Sequence, residues 1–152
     1  MARFKPQPPV PGFGATAEEV EAAFYEGMQT GDIEKVMACW ADEDDIVCIY
    51  PGSPRMLGVH AIRTGFEALF ANGTTVQIFI EHVHHIDAAS SSVRHVLERA
   101  EVSTPQGTVQ AYVLASNVYH QTAQGWRMVL HHASLGQSGR AAEVTQSPKI
   151  LH

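Results

Sequence analysis

An α+β fold is predicted, with the helices first and an antiparallel meander after them. Three observations carry this. Apolar residues recur at helical spacing as far as Ala71, and beyond Asn72-Gly73 the pattern changes to alternation or continuous apolar runs. Turn-forming clusters divide that second half into four strand-like segments. At 152 residues and 45% apolar content, the chain suits one domain with a core of its own.

The segment Phe4 to Ala15, FKPQPPVPGFGA, is too rich in Pro and Gly for a helix, so residues 1–15 read as an extended arm. Thr16-Ala17-Glu18-Glu19 is a capping box, and Val20, Phe24 and Met28 behind it mark a first helix. Gly31 stops that helix and Asp32 caps a second, whose stripe is Ile33, Val36, Met37 and Trp40. The acidic ADEDD that follows is a solvated turn; it lacks the glycine and closing glutamate of a calcium loop. Ile46 to Tyr50 is a short strand ended by Pro51-Gly52, and Arg55 to Leu57 pairs back onto it. Ile62, Phe66, Leu69 and Phe70 mark a third helix over Val59 to Ala71. The four strands of the meander run over 75–86, 92–103, 108–121 and 125–135. Residues 137–152 read as a polar tail.

The net charge of -6 provides no basic stripe, so nucleic acid is not an expected partner. MARFKPQPPV has no apolar signal core, and no apolar run approaches the roughly 18 residues that span a bilayer. Two cysteines are too few for a disulfide framework; a reduced cytoplasmic protein is expected, with neither membrane nor cofactor required. The strand VQAYVLASNVY is apolar on both sides, whereas a strand with one wet face should alternate. Its second face is expected to be covered by another copy, in a homodimer through the outer sheet face.

The last strand ends in an unusual pair, WRMVLHHAS. Regular pairing of the last two strands, with Gln121 opposite Trp126, sets Asn117 opposite Leu130 and Ala115 opposite His132. Trp126, Met128, Leu130 and His132 then share one face. With the Trp under the helices, His132 and Asn117 point inward, while His131 and Ser116 point out. A bulge would reverse part of this. Two polar groups converging on an apolar face suit either a ligand pocket or a self-satisfied structural pair.

The pieces TGDIEKVMACWADEDDIVCIYPG, LGVHAIRTGFEALF and ASNVYHQTAQGWRMVLHHAS resemble the SnoaL-like, ketosteroid-isomerase-like branch of the NTF2-like superfamily, over about Thr16 to Gly136. The resemblance implies a cone, three helices on a strongly curved and mostly antiparallel sheet, with a pocket at the wide end and dimerisation through the outer face. It does not settle activity, because this fold hosts many functions. Ketosteroid isomerases use a carboxylate base and an oxyanion hole of Tyr and protonated Asp. Those positions fall on Tyr50, Phe24 and Asn117 here, so the scaffold carries over but the mechanism does not. A one-residue shift on the first helix would bring Tyr25 in place of Phe24, turned about 100° away. The resemblance also marks Glu98 as a recurring position; it pairs with His132 or Arg94 if inward and is a surface ion-pair member if outward.

His82 and His84 share a strand face in regular alternation, but a third metal ligand is not in reach, so they read as solvent or dimer-face groups. Cys48 beside His132 admits a nucleophilic pair, with an inert buried thiol the commoner case. The expectation is an apolar pocket lined by Phe24, Trp40, Tyr50, Asn117, Trp126 and His132. It takes a small apolar or aromatic molecule, with His132 as proton carrier and Tyr50 or Asn117 donating to a carbonyl. The alternative is a non-enzymatic binding or dimerisation module.

Overall fold

The computed structural model describes residues 12–73 and 76–136, with only the backbone of His82. The expected arm, up to residue 11, and the tail, 137–152, lie outside the described residues.

Helix α1 (Ala17–Thr30) begins where Thr16 Oγ1 accepts from the Glu19 amide at 3.0 Å. Glu19 reaches further back than a capping box requires, accepting from the Gly14 and Ala15 amides. Gly31 ends the helix in the left-handed region, φ 67°, where its amide bonds to the Gly27 carbonyl. Asp32 caps α2 (Ile33–Ala38) through the Lys35 amide. This helix is shorter than its apolar stripe predicts. Cys39 and Ala41 leave it to bond with Met128, so Trp40 sits on a bridge to the last strand instead of on the helix.

Strands β1 (Val47–Ile49) and β2 (Met56–Leu57) pair antiparallel and lead into α3 (Gly58–Ala71). The meander follows as β3 (Val76–Asp87), β4 (Ser91–Thr104), β5 (Gly107–Thr122) and β6 (Gly125–Leu135). The sheet order is β2-β1-β6-β5-β4-β3, and β1 runs parallel to β6 while the other pairs are antiparallel. The helices pack on one face of this sheet, giving the α+β cone. Between them lies a core that includes Val20, Phe24, Val36, Ile62, Phe66, Val96, Ala115 and Met128, all fully buried.

Register decides which side chains enter that core. Thr104 lies opposite Gly107, so β4 and β5 pair without a slip, and Arg94, Val96 and Glu98 share a face with Asn117, Ala115 and Val113. Between β5 and β6 there is one slip. Tyr119 pairs with Met128, but Val118 pairs with Leu130, leaving Val129 as an extra residue. This β-bulge inverts the facing of everything beyond it. Asn117 therefore lies opposite His131, and His132 lies opposite Ser116. The inward placing of His132 is thus corrected: His132 is exposed on the outer face, and His131 is the buried member of the pair, 1% exposed.

Candidate functional site

Glu21 and Tyr25 are one turn apart on α1 and both face the sheet. Glu21 Oε1 accepts from Arg94 Nε at 2.9 Å, and its Oε2 accepts from Tyr119 Oη at 2.9 Å and Asn117 Nδ2 at 3.1 Å. Asn117 Nδ2 also donates to Tyr25 Oη at 3.0 Å, and Tyr25 donates to Glu98 Oε2 at 2.6 Å. A continuous polar chain therefore runs Arg94–Glu21–Asn117–Tyr25–Glu98 beneath the helices.

Donor and acceptor bookkeeping sets the protons along it. With Nδ2 of Asn117 donating twice, its Oδ1 must accept, and His131 Nδ1 lies 2.5 Å from it. His131 thus carries its proton on Nδ1. Burial, with His132 adding to it, drives this imidazole down from 6.5 to about 3. It is neutral at physiological pH and serves as a fixed donor, not as a base. Tyr25 spends its proton on Glu98 Oε2, so any proton on Glu98 sits on Oε1, the oxygen that Tyr25 does not engage. Burial raises the Glu98 carboxyl from 4.5 to about 7, partly offset by the Tyr25 hydrogen bond and reinforced by nearby Glu21. Of the groups in the chain, Glu98 is the one poised to exchange a proton near neutral pH.

A cavity of about 870 Å³ lies beside this chain, between the C-terminal ends of α1 and α3, the β1–β2 connection and the start of β3. Among the described residues lining it none carries a charge; Met28, Met56, Leu69, Phe70, Val76 and Ile78 make it apolar. Tyr50 joins cavity and chain. It lines the cavity, its hydroxyl lies 3.5 Å from Met28 Sδ, and its ring packs on His131 with centroids 5.4 Å apart. Ile78 lines the cavity two residue pairs along from Glu98, on the same face, since Ile80 lies opposite Glu98 and Ile78 opposite Ala100.

The SnoaL-like domain family model matches residues 17–138. The chain belongs to the SnoaL-like family. A solved structure from Thiobacillus denitrificans, provisionally assigned as a calcium/calmodulin-dependent protein kinase type II association domain, is 34% identical with a TM-score of 0.75. That match covers 82% of this chain and 98% of the other. An NTF2-like protein from Streptomyces avermitilis, provisionally assigned as a dehydratase, is 27% identical over 78% of this chain and 93% of its own, with a TM-score of 0.71. A ketosteroid isomerase-like protein from Erwinia carotovora atroseptica shares the fold at 18% identity, covering 85% of this chain and 100% of its own, with a TM-score of 0.66. Among curated proteins none matches the sequence.

Of the residues expected around the pocket, this SnoaL-like protein places Tyr50 on the cavity wall and Asn117 at the centre of the polar chain. Phe24 is core, edge-on to Tyr25, Trp40 and Phe66 and packed on His131. Trp40 is buried, with no partner for Nε1 among the described residues, and Trp126 is half-buried beside Gly14. None of these three lines the cavity. Glu98 faces inward, but its partner is Tyr25; the expected pairing with His132 or Arg94 is replaced by Arg94–Glu21. Cys48 lies opposite His131, not His132, and burial pushes its thiol up to about 12, which removes the nucleophilic pair. On β3 a second bulge falls between Glu81 and His84, breaking the alternation that would align His82 with His84. His84 instead lies opposite His95. Among the described residues no group of three or more His, Cys, Asp or Glu is placed to hold a metal ion.

Sequence reasoning misses Glu21 outright and misassigns three other site residues: Tyr25 enters only as a shifted alternative to Phe24, Arg94 only as a partner for Glu98, and His131 as an outward group. A signal for three of these four was present. Glu21 and Tyr25 flank the apolar Val20 and Phe24 at i,i+4 spacing, and Arg94 and Glu98 flank Val96 on one strand face. Polar pairs bordering an apolar stripe at matching period are candidates for a buried network.

Proposed function

We propose that this SnoaL-like protein binds a small, largely apolar molecule in the cavity beside Tyr50 and moves a proton on it, with Glu98 as the carrier. One juxtaposition carries the reading: a cavity with no charged lining residue among those described, whose wall residue Tyr50 packs on His131, the imidazole bonded to Asn117 in a buried polar chain that ends in Glu98 with one oxygen not engaged by Tyr25. Glu98 is not among the lining residues, so on this reading the ligand reaches that oxygen past Ile78 and Tyr50. With Glu98 ionised, a C–H bond next to a carbonyl breaks and its proton goes to Glu98. The electron pair forms the carbon–carbon double bond, and the carbonyl π pair moves onto oxygen. Return of a proton to carbon reverses the step. His132, on the outer face, has no part in it; His131 positions Asn117, and Asn117 positions Tyr25.

The test is hydrogen–deuterium exchange of 2-tetralone, a neutral ketone with acidic α-hydrogens, followed by proton NMR. The full chain should accelerate exchange by at least about 100-fold over buffer, and Glu98→Gln should abolish the acceleration while leaving binding intact. Saturable binding without acceleration would reduce the protein to a binding module.

A second reading is favoured by a specific pair of observations. The outer side of β5 carries Tyr112, Leu114 and Val118, each half-buried in the single chain, and the 34% identical relative is assigned as an association domain. On this reading the outer face is covered by a second copy, and the protein's work is assembly.

A further inference from the structure

Resting on the ligand-binding reading, the geometry points to a ligand that is electrically neutral and carries a carbonyl-type acceptor, which takes the Tyr50 hydroxyl away from Met28. Two independent features lead there. The first is charge. No charged side chain lines the cavity among the described residues, and the arginines of the sheet are committed elsewhere: Arg94 to Glu21, Arg99 to Glu81 and Glu101, and the buried Arg127 to the Trp126 carbonyl. Two buried carboxyls, Glu98 and Glu21, belong to the polar chain that Tyr50 meets through His131. A carboxylate or phosphate inside would be desolvated with no counter-charge and would face acidic neighbours, which is costly.

The second feature is the state of the Tyr50 hydroxyl. Its partner is a thioether at 3.5 Å, a weak acceptor. Both groups line the cavity, so a ligand oxygen can take the place of the sulfur; the hydroxyl's other neighbour, the Cys48 thiol, is likewise a weak partner. The other polar groups at hand are less suited to this task. Gln29 gives its oxygen to the Ile78 amide at 3.2 Å, and Ser53 and Asn72 are exposed at the rim. A strong acceptor is therefore rewarded at one point of an otherwise apolar wall. The volume, about 870 Å³, leaves room for a two- or three-ring skeleton.

The experiment uses three probes on one skeleton: 2-acetylnaphthalene, 2-ethylnaphthalene and 2-naphthoate. Each is titrated calorimetrically into the full chain and into Tyr50→Phe at pH 7.5. The ketone should bind the unmodified protein about five- to tenfold more tightly than the hydrocarbon, and naphthoate at least about 30-fold more weakly than the ketone. Tyr50→Phe should remove the preference for the ketone and leave the hydrocarbon unaffected. If that variant does not fold, the ketone-to-hydrocarbon ratio on the unmodified chain still reads the hydroxyl. Naphthoate binding as well as the ketone, or ketone and hydrocarbon binding alike, would overturn the inference while the cavity reading stood. Failure of all three to bind would overturn both.

Discussion

Replacing Glu98 with Gln should make the protein's stability respond to pH in a calculable way. Gln keeps an acceptor for the Tyr25 hydroxyl and cannot ionise. In the unmodified protein, burial raises this carboxyl from 4.5 to about 7. Between those values the folded state holds a proton that the unfolded state has released, so stability is full below about 4.5 and is lost as pH rises through about 7. At about 1.36 kcal/mol per pH unit, ionising Glu98 costs the folded state roughly 3 kcal/mol at alkaline pH. The variant escapes that cost. Its new amide nitrogen needs a partner at every pH, a constant penalty of about 1–3 kcal/mol. The quantity to follow is thus the difference between variant and unmodified protein, by urea unfolding from pH 4 to pH 8. That difference should move by roughly 3 kcal/mol in favour of the variant. The unmodified curve alone conceals the effect, because His131 acts in the opposite sense between about 4.5 and 6.5. A difference that stays flat across the range would refute the burial argument for Glu98.

Other outcomes follow from the same geometry. His131 has its imidazole lowered to about 3, so its contribution is present above 6.5 and is lost as pH falls toward about 3. His131→Gln should flatten that acid limb in urea unfolding while remaining folded at pH 7. Asn117→Ala strands Glu21, Tyr25 and His131 together, and a loss of about 3–5 kcal/mol is expected by thermal or urea unfolding, against a change within about 0.5 kcal/mol for the exposed His132→Ala. On the assembly reading, Val118→Asp on the outer face should halve the mass measured by sedimentation; an unchanged mass would dismiss that reading.

Much of the architecture was legible because local chemistry and global fold agree. Thr16, Gly31 and Asp32 mark helix ends through side-chain and backbone needs that tertiary context does not alter. The turns after Ser103 and Gln121 announce the hairpins. The pairings Gln121–Trp126 and Tyr119–Met128 follow from the turn alone, and both are found. What the sequence does not mark is the bulge at Val129. That residue sits in a continuous apolar run, with no Gly or Pro to signal an extra residue, so regular pairing carried the wrong imidazole inward. Tyr25 reads only as a shifted alternative to Phe24 for a related reason. The apolar stripe of α1 selects Val20 and Phe24, yet the buried face is wide enough to take in Glu21 and Tyr25, because their polar groups satisfy one another. The cavity was assigned to core residues for want of a way to see that α3 and β3 leave the space near Tyr50 unfilled.

Ring-nitrogen NMR of the histidines, recorded from pH 4.5 to pH 8, tests the central claim most directly. His131 should remain neutral throughout with its proton on Nδ1, as its bond to Asn117 and its burial require. An imidazole at that position that gains a proton near pH ~6.5, or that carries its neutral proton on Nε2, would contradict the buried chain and the assignment of proton transfer to Glu98.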